Sequence, residues 1–232
     1  MHAMEKKFDE LKNDLSDGLR TIAMISVLAT AGLIVLAYPI SRVFVGEIPS
    51  AIALGNVVIA MVIGLLPFSY VFMIQRAFYS LEDTRTPFLF TLVQTFLNVI
   101  GSILIAIYVN HIWIVVGLSL VTSGTILVQA ILAFLMFKRK FGSLGHSHLG
   151  IATAKFVSAA IVAGLIGFAI LQGMGGANPG AFPVLSVLAS GLTCALIGAV
   201  MGLVYLIMLK VLRVPEVEIL INPLKRLLGR SK

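Results

Sequence analysis

Two stretches of this chain, Pro87 to Phe137 and Phe156 to Leu209, contain no Asp, Glu, Lys or Arg. A helix rising ~1.5 Å per residue needs about 20 residues to cross a hydrocarbon core of roughly 30 Å. Each stretch is therefore long enough for two crossings and has to reverse once. Breakers sit where the reversals are needed, at Tyr108-Val109-Asn110-His111 and in the glycine-rich run from Gly173 to Gly180. The totals agree. Of the 232 residues, 59% are hydrophobic and 12% charged, with a mean hydropathy of +1.06, whereas soluble domains carry about 25% charged residues. A water-soluble core has no room for that much apolar surface, so the expected fold is all-α, a polytopic membrane helical bundle.

The hydropathy pattern predicts six spans, at about Leu19 to Val43, Ala51 to Ile74, Pro87 to Tyr108, Ile112 to Phe137, Ile151 to Leu171 and Val184 to Val211. Residues 1–18 mix charges with Phe8, Leu11, Leu15 and then Leu19 at helical spacing, and are expected to form a short amphipathic helix on the inner membrane face. They lack the apolar run and small-residue site of a cleaved signal, so no removal is expected. Residues 19–211 make the six-span bundle. Residues 212–232 make a basic cytoplasmic tail, in which Pro215 and Pro223 prevent a long helix. On this topology every Lys and Arg except Arg42 falls on one side, and the positive-inside bias places both termini in the cytoplasm.

The net charge of +7 does not point to nucleic acid, because the basic residues flank membrane segments instead of forming an aromatic-interleaved face; lipid headgroups are the expected counter-ions. Cys194 lies mid-span with no second cysteine to pair with. His146 and His148 share a loop without carboxylate or thiol partners, too little for a metal site. No polar stretch is long enough for a soluble catalytic domain. The chain is expected to be neither an enzyme nor a holder of a cofactor.

Polar side chains within spans are costly and therefore informative. Asn56, Gln75, Gln94, Asn98 and Gln129 are the candidates, and Gln94 and Asn98 lie one turn apart on one face of the third span. Two readings are open for them: a cavity wall, or hydrogen bonds to a neighbouring helix. Gly164 and Gly167 in the fifth span and Gly191, Gly198 and Gly202 in the sixth permit close backbone approach. They imply tight packing of these two helices or, in a functional version, a lipid-facing groove for a hydrocarbon tail.

The densest local signal is the charged turn between the second and third spans, Gln75 to Pro87. Thr86 followed by Pro87 reads as an N-cap with proline at the first helical position. Arg76 is placed to snorkel or to pair with Glu82 or Asp83, giving either a salt-bridged structural corner or, in a functional version, a hinge or an entry point for a phosphate-bearing substrate. The run Arg76-Ala77-Phe78-Tyr79-Ser80-Leu81-Glu82-Asp83-Thr84-Arg85-Thr86-Pro87-Phe88 resembles the signature corner of the MurJ (MviN) family of lipid II flippases. Leu19-Arg20, Leu36-Ala37-Tyr38-Pro39-Ile40 and Leu66-Pro67-Phe68-Ser69 resemble that family in the same order, and the similarity fades to hydropathy after Gly150.

The resemblance implies the multidrug/oligosaccharidyl-lipid/polysaccharide transporter fold, two bundles that rock to give alternating access in a bacterial plasma membrane. It covers only the C-terminal portion of the family pattern, so the chain is expected to be incomplete alone and to need an N-terminal bundle, which bears the pyrophosphate-binding arginines. The implied cargo is a polyprenyl-pyrophosphate-linked disaccharide-pentapeptide. Arg76, Tyr79, Asp83, Arg85 and Pro87 carry over as the signature corner, and the last two spans as the lipid-tail groove. Two alternatives stay open at this point: a flippase for another polyprenyl-linked glycan, and a non-transporting membrane scaffold or truncated product.

Overall fold

The structure, a computed structural model, describes residues 2–142, 146–178 and 180–216, with side chains described from residue 12 onward and, after the gap at 143–145, from residue 149. The described residues are helical, without strands. The first helix, α1 (His2–Val35), is followed directly by α2 (Ala37–Phe44); then come α3 (Ile48–Val62), α4 (Leu65–Ser80) and α5 (Arg85–Tyr108). After a 3₁₀ turn (His111–Trp113) follow α6 (Ile114–Phe141), α7 (His146–Gly173), the single turn α8 (Phe182–Leu185) and α9 (Val187–Val211). Among the described residues five stretches are long and apolar enough to cross a bilayer, within α1, α5, α6, α7 and α9, and the pair α3 and α4, bent by 44°, passes the same test when the two are counted as one broken span.

Four boundaries differ from the sequence reading. The segment expected as a separate surface helix at 1–18 runs without a break into the first span, because no proline interrupts it and Gly18 costs a helix only about 1 kcal/mol. At Gly18 the end of the Met73 side chain of α4 fills the space that a Cβ would take. The first two spans, read as continuous, are each broken, at Leu36 and at Ile63-Gly64. The cause is the same in both: Pro39 and Pro67 lack the amide that would bond the carbonyl four residues earlier, and the ring crowds it. The sixth span starts at Val187 and not Val184, where Ser186 Oγ accepts the Ala189 amide at 3.2 Å as an N-cap.

Two cores hold the bundle. In one, Ala23, Met24 and Val27 of α1 meet Phe156, Ala160 and Ala163 of α7 and Ile197, Met201 and Tyr205 of α9. Tyr205 donates its hydroxyl to the Met24 carbonyl at 2.9 Å inside this contact. In the other, at the charged end, Leu15 and Leu19 pack with Val71, Ile74 and Phe78 of α4, Phe90 of α5 and Phe137 of α6. Phe78 meets the rings of Phe137 and Phe141 with centroids 5.7 Å away in each case, a spacing at which tilted aromatic pairs attract. Contacts gather Arg20, Asp83, Lys140, Lys155 and Glu216 at this end, while Arg42 donates to the Val184, Val45 and Gly46 carbonyls at the other. After α9 the chain folds back, with Val214 and Glu216 buried and Glu216 3.5 Å from Arg20. The rest of the basic tail, from 217, lies outside the described residues.

Candidate functional site

A cavity of about 1040 Å³ lies between α1, the break of α3 and α4, α6 and α7. Its walls are almost wholly apolar, including Ile34, Ile59, Leu127, Ile161, Leu165 and Phe168. It exists because α6 and α7, although consecutive, do not pack on each other: α6 packs on α3, α4 and α5, and α7 on α1 and α9. The lining from Val157 to Gln172 extends along α7 for about 22 Å at ~1.5 Å per residue. Toward the charged end, Tyr70 bridges the gap below it, edge-on to Phe134 of α6 at 5.6 Å and bonded to Thr153 of α7 at 2.7 Å. Thr153 donates to the Leu149 carbonyl, so Tyr70 is the donor in this pair. Toward the other end Tyr38 lines the cavity and donates to Asn56 at 3.0 Å.

Both proline breaks open on this cavity, through Val35, Tyr38, Ile63, Leu66 and Pro67. Broken helices at membrane depth are tolerated where the backbone lines a cavity or is buried in protein. At the second break Gly64 N–H turns to the Met61 carbonyl at 3.0 Å, and Ser123 of α6 donates to the freed Ala60 carbonyl at 2.7 Å. A Cβ at Gly64 would sit 3.0 Å from Ser123 Cα, so the helices meet backbone to backbone there.

The charged corner is a double cap. Helix α4 ends in a Schellman motif, with Asp83 N–H on the Phe78 carbonyl and Glu82 N–H on the Tyr79 carbonyl, and Glu82 itself at φ +58. Asp83 then caps α5, accepting the Thr86 amide at 3.2 Å and its hydroxyl at 2.6 Å. The capping side chain is thus Asp83, and Thr86, read as the N-cap, is instead its donor. Pro87 is buried in the first turn. The ion pair also differs from the expected one: Asp83 binds Lys140 at the end of α6 at 2.8 Å, while Arg76 lies over the Phe72 ring at 5.7 Å. Hydrogen bonding from Lys140, then from Thr86, holds the Asp83 carboxyl down at about 2. Arg76, Tyr79 and Arg85 are exposed on this corner.

Gln94 and Asn98 do not line the cavity. They donate across to α6, Gln94 to Thr125 at 3.4 Å and Asn98 to Thr122 and Thr125 at 3.3 and 3.2 Å. A turn nearer the charged end, Thr91 accepts from Gln75 and Gln129. These amides tie α5, the least buried span with 6% of its apolar window covered, to the bundle. The five glycines are not brought to one seam. Gly167 is pressed on α9, where an added Cβ would lie 2.5 Å from Met201 Sδ, and Gly164 faces the cavity. Gly191 and Gly202 have open space where a Cβ would stand, and Gly198 only the tip of Leu36 at 4.0 Å. The α7–α9 contact is small on α7 only; α9 supplies Ile197, Met201 and Tyr205. The side chains of His146 and His148 lie outside the described residues.

The cavity, the proline breaks, Ser123 and Lys140 were not among the residues that sequence reasoning singled out. Pro39 and Pro67 were visible signals for the breaks; the pairing of Lys140 with Asp83, 57 positions apart, had none.

Residues 1–188 match the model of a family described as Lipid II flippase MurJ. The chain is 27% identical over 162 residues to the probable lipid II flippase MurJ of Vibrio cholerae, an alignment covering 68% of this chain and 29% of that protein. Its fold is similar to that of a solved lipid II flippase MurJ in an inward closed conformation, with a TM-score of 0.64 and 18% identity, covering 84% of this chain and 39% of that one. The chain thus spans about a third of the length of the relatives it matches. A match over most of the chain, on a multi-pass helical membrane fold, establishes that it belongs to the MurJ family of lipid II flippases, which are transporters and not enzymes.

Proposed function

We propose that this chain is the C-terminal part of a flippase that moves lipid II, a polyprenyl-pyrophosphate-linked disaccharide-pentapeptide, from the inner to the outer leaflet of a bacterial plasma membrane. The observation that carries the reading is the family match across residues 1–188. The bundle works by alternating access against a second, N-terminal bundle, which provides the pyrophosphate site. Both termini face the cytoplasm, where the basic residues neutralise anionic headgroups.

The polyprenyl tail is assigned to the cavity between α6 and α7, not to the seam of α7 and α9. The support is physical: an apolar slot along about 22 Å of α7, inside the hydrocarbon, has no water to fill it and matches a hydrocarbon chain. Arg76 and Arg85, exposed at the charged corner, are placed to meet a phosphate at the inner surface.

Complementation tests this. A host depleted of its own flippase receives this chain alone or together with a separately expressed N-terminal bundle. Rescue by the pair only is the expected result. Rescue by neither, with normal membrane insertion of both, removes the proposal and favours a scaffold.

A further inference from the structure

The break between α3 and α4 has the bonding of a two-state hinge, and we propose that Ser123 is its latch and that the hinge sets the width of the apolar cavity. Four observations carry this. First, the break is made by Pro67, which leaves the Ile63 carbonyl without its helical donor. Second, Gly64 N–H has shifted from the Ala60 carbonyl, its partner in a regular helix, to the Met61 carbonyl at 3.0 Å. Third, the released Ala60 carbonyl is taken by the Ser123 hydroxyl at 2.7 Å, with Met61 O a second acceptor at 3.1 Å.

Fourth, Ser123 is unlike its neighbours. Ser119, Thr122 and Thr125 of α6 all donate back to their own helix, at Val115, Leu118 and Thr122, the usual outlet for a hydroxyl on a membrane helix. In the bent state Ser123 donates across the interface instead. In a straighter span, Gly64 N–H returns to the Ala60 carbonyl and Ser123 returns to its own i−4 carbonyl, that of Ser119. Both states satisfy the same donors. A small bias therefore decides between them, which is the requirement for a bistable element.

A second serine fixes the other side of the break. Ser69 donates to the Leu65 carbonyl in the first turn of α4, so in the 2.7 Å contact of Ser26 and Ser69 the donor is Ser26 of α1. With α4 tied to α1 in this way, α3 is the arm left to move, carrying α2 with it through the Tyr38–Asn56 bond, and its packing on α6 makes full straightening an upper bound. Its 15 residues at ~1.5 Å make an arm of about 22 Å, and full straightening from 44° displaces its tip by about 15 Å. Ile59 of that arm, Ile63 at the break and Ser123 itself line the cavity. Only the consequence for cargo rests on the proposed function; the hinge itself is read without any lipid substrate.

The test is a spin-label distance between Ser50→Cys at the start of α3 and Val115→Cys at the start of α6, with Cys194→Ala, in the full chain in lipid nanodiscs. Ser123→Ala is expected to move the distance distribution by several Å toward a second population, up to the roughly 15 Å limit of the arm. Pro67→Ala, which returns an amide to the Ile63 carbonyl and leaves Ser123 in place, is expected to reach the same population by the other route. Ser119→Ala, which removes a hydroxyl that stays on its own helix, is expected to leave the distribution unchanged. Unchanged distances in Ser123→Ala and Pro67→Ala overturn the hinge. A shift in Pro67→Ala alone overturns the latch, and a shift in Ser119→Ala equal to that in Ser123→Ala shows general loosening and overturns it as well. If Ser123→Ala does not insert, Pro67→Ala reads the same coordinate. A failed complementation with intact shifts removes the flippase reading and keeps the hinge.

Discussion

Replacing Asp83 tests whether the corner shared by α4, α5 and α6 is an energetic unit. Asp83→Ala removes an N-cap, which costs about 1 kcal/mol. It also removes the pair with Lys140, whose side chain is 50% exposed while that of Asp83 is 11% exposed. Such an exposed pair contributes about 0.5 kcal/mol after solvent screening. Loss of the short Thr86 hydroxyl bond adds about 0.5 kcal/mol, for a total near 2 kcal/mol. Asp83→Asn keeps an acceptor for the Thr86 amide and loses the charge, so about half of that is expected. Lys140→Ala removes the pair alone, at about 0.5 kcal/mol.

The assay is reversible unfolding in mixed micelles, with a double-mutant cycle on Asp83 and Lys140. The sign with pH follows from the depressed carboxyl. Its contribution is fully present above the unfolded value of about 3.9 and is lost as pH falls through about 2. High salt weakens the coupling. Equal losses for Asp83→Ala and Asp83→Asn, or a coupling energy of zero, would refute the assignment of Asp83 as both cap and ion-pair partner.

Glu82 sits at φ +58 in a cap that favours glycine, so Glu82→Gly is expected to raise stability by about 1 kcal/mol in the same assay; a loss contradicts the Schellman reading. Gly167→Leu is expected to disturb the α7–α9 contact and lower stability, whereas Gly202→Leu, with open space around its Cβ position, is expected to be tolerated; equal effects would place the seam elsewhere. Gly164→Phe is expected to leave insertion and unfolding near the parent value, because a Cβ there meets only Val35 at 3.9 Å, and to abolish rescue with an N-terminal bundle by filling the proposed tail cavity. Full rescue removes the tail from that cavity.

The membrane-helix character and a count of five to six apolar spans were legible because desolvation of charge is severe enough to write itself as charge-free blocks. The reversals were legible for a local reason too: Gly175 and Gly176 adopt positive φ and close a Schellman cap on α7. Helix breaks were less so, since Pro39 and Pro67 lie within hydropathy that looks continuous, and a proline in a membrane span is read equally as a tolerated kink. The signature corner was legible as a local turn and misassigned in its bonds. Thr86 before Pro87 has the composition of a cap, but Asp83 is both the stronger acceptor and the residue within reach of Lys140. The glycine rows of the last two spans were overread because spacing along one helix does not say which face its neighbour covers. On α9 the covered row is Thr193, Ile197, Met201, Tyr205 and Leu209. The cavity was invisible for a related reason: it arises from two consecutive helices that do not pack on each other.

That lack of packing between α6 and α7 also sets an order of assembly. The chain leaves α6 and enters α7 next, yet α7 finds its packing surface on α1, and α9 then packs on α7 and α2 and reaches α1 through Tyr205. Until both have emerged, the face of α1 carrying Ala23, Met24 and Val27 stands uncovered in lipid, and the Met24 carbonyl lacks its Tyr205 donor. Insertion delivers the spans one after another, N-terminal first. The first span is therefore completed by the last, and a nascent chain halted after α6 holds a half-built bundle with an open, sticky flank for as long as synthesis pauses.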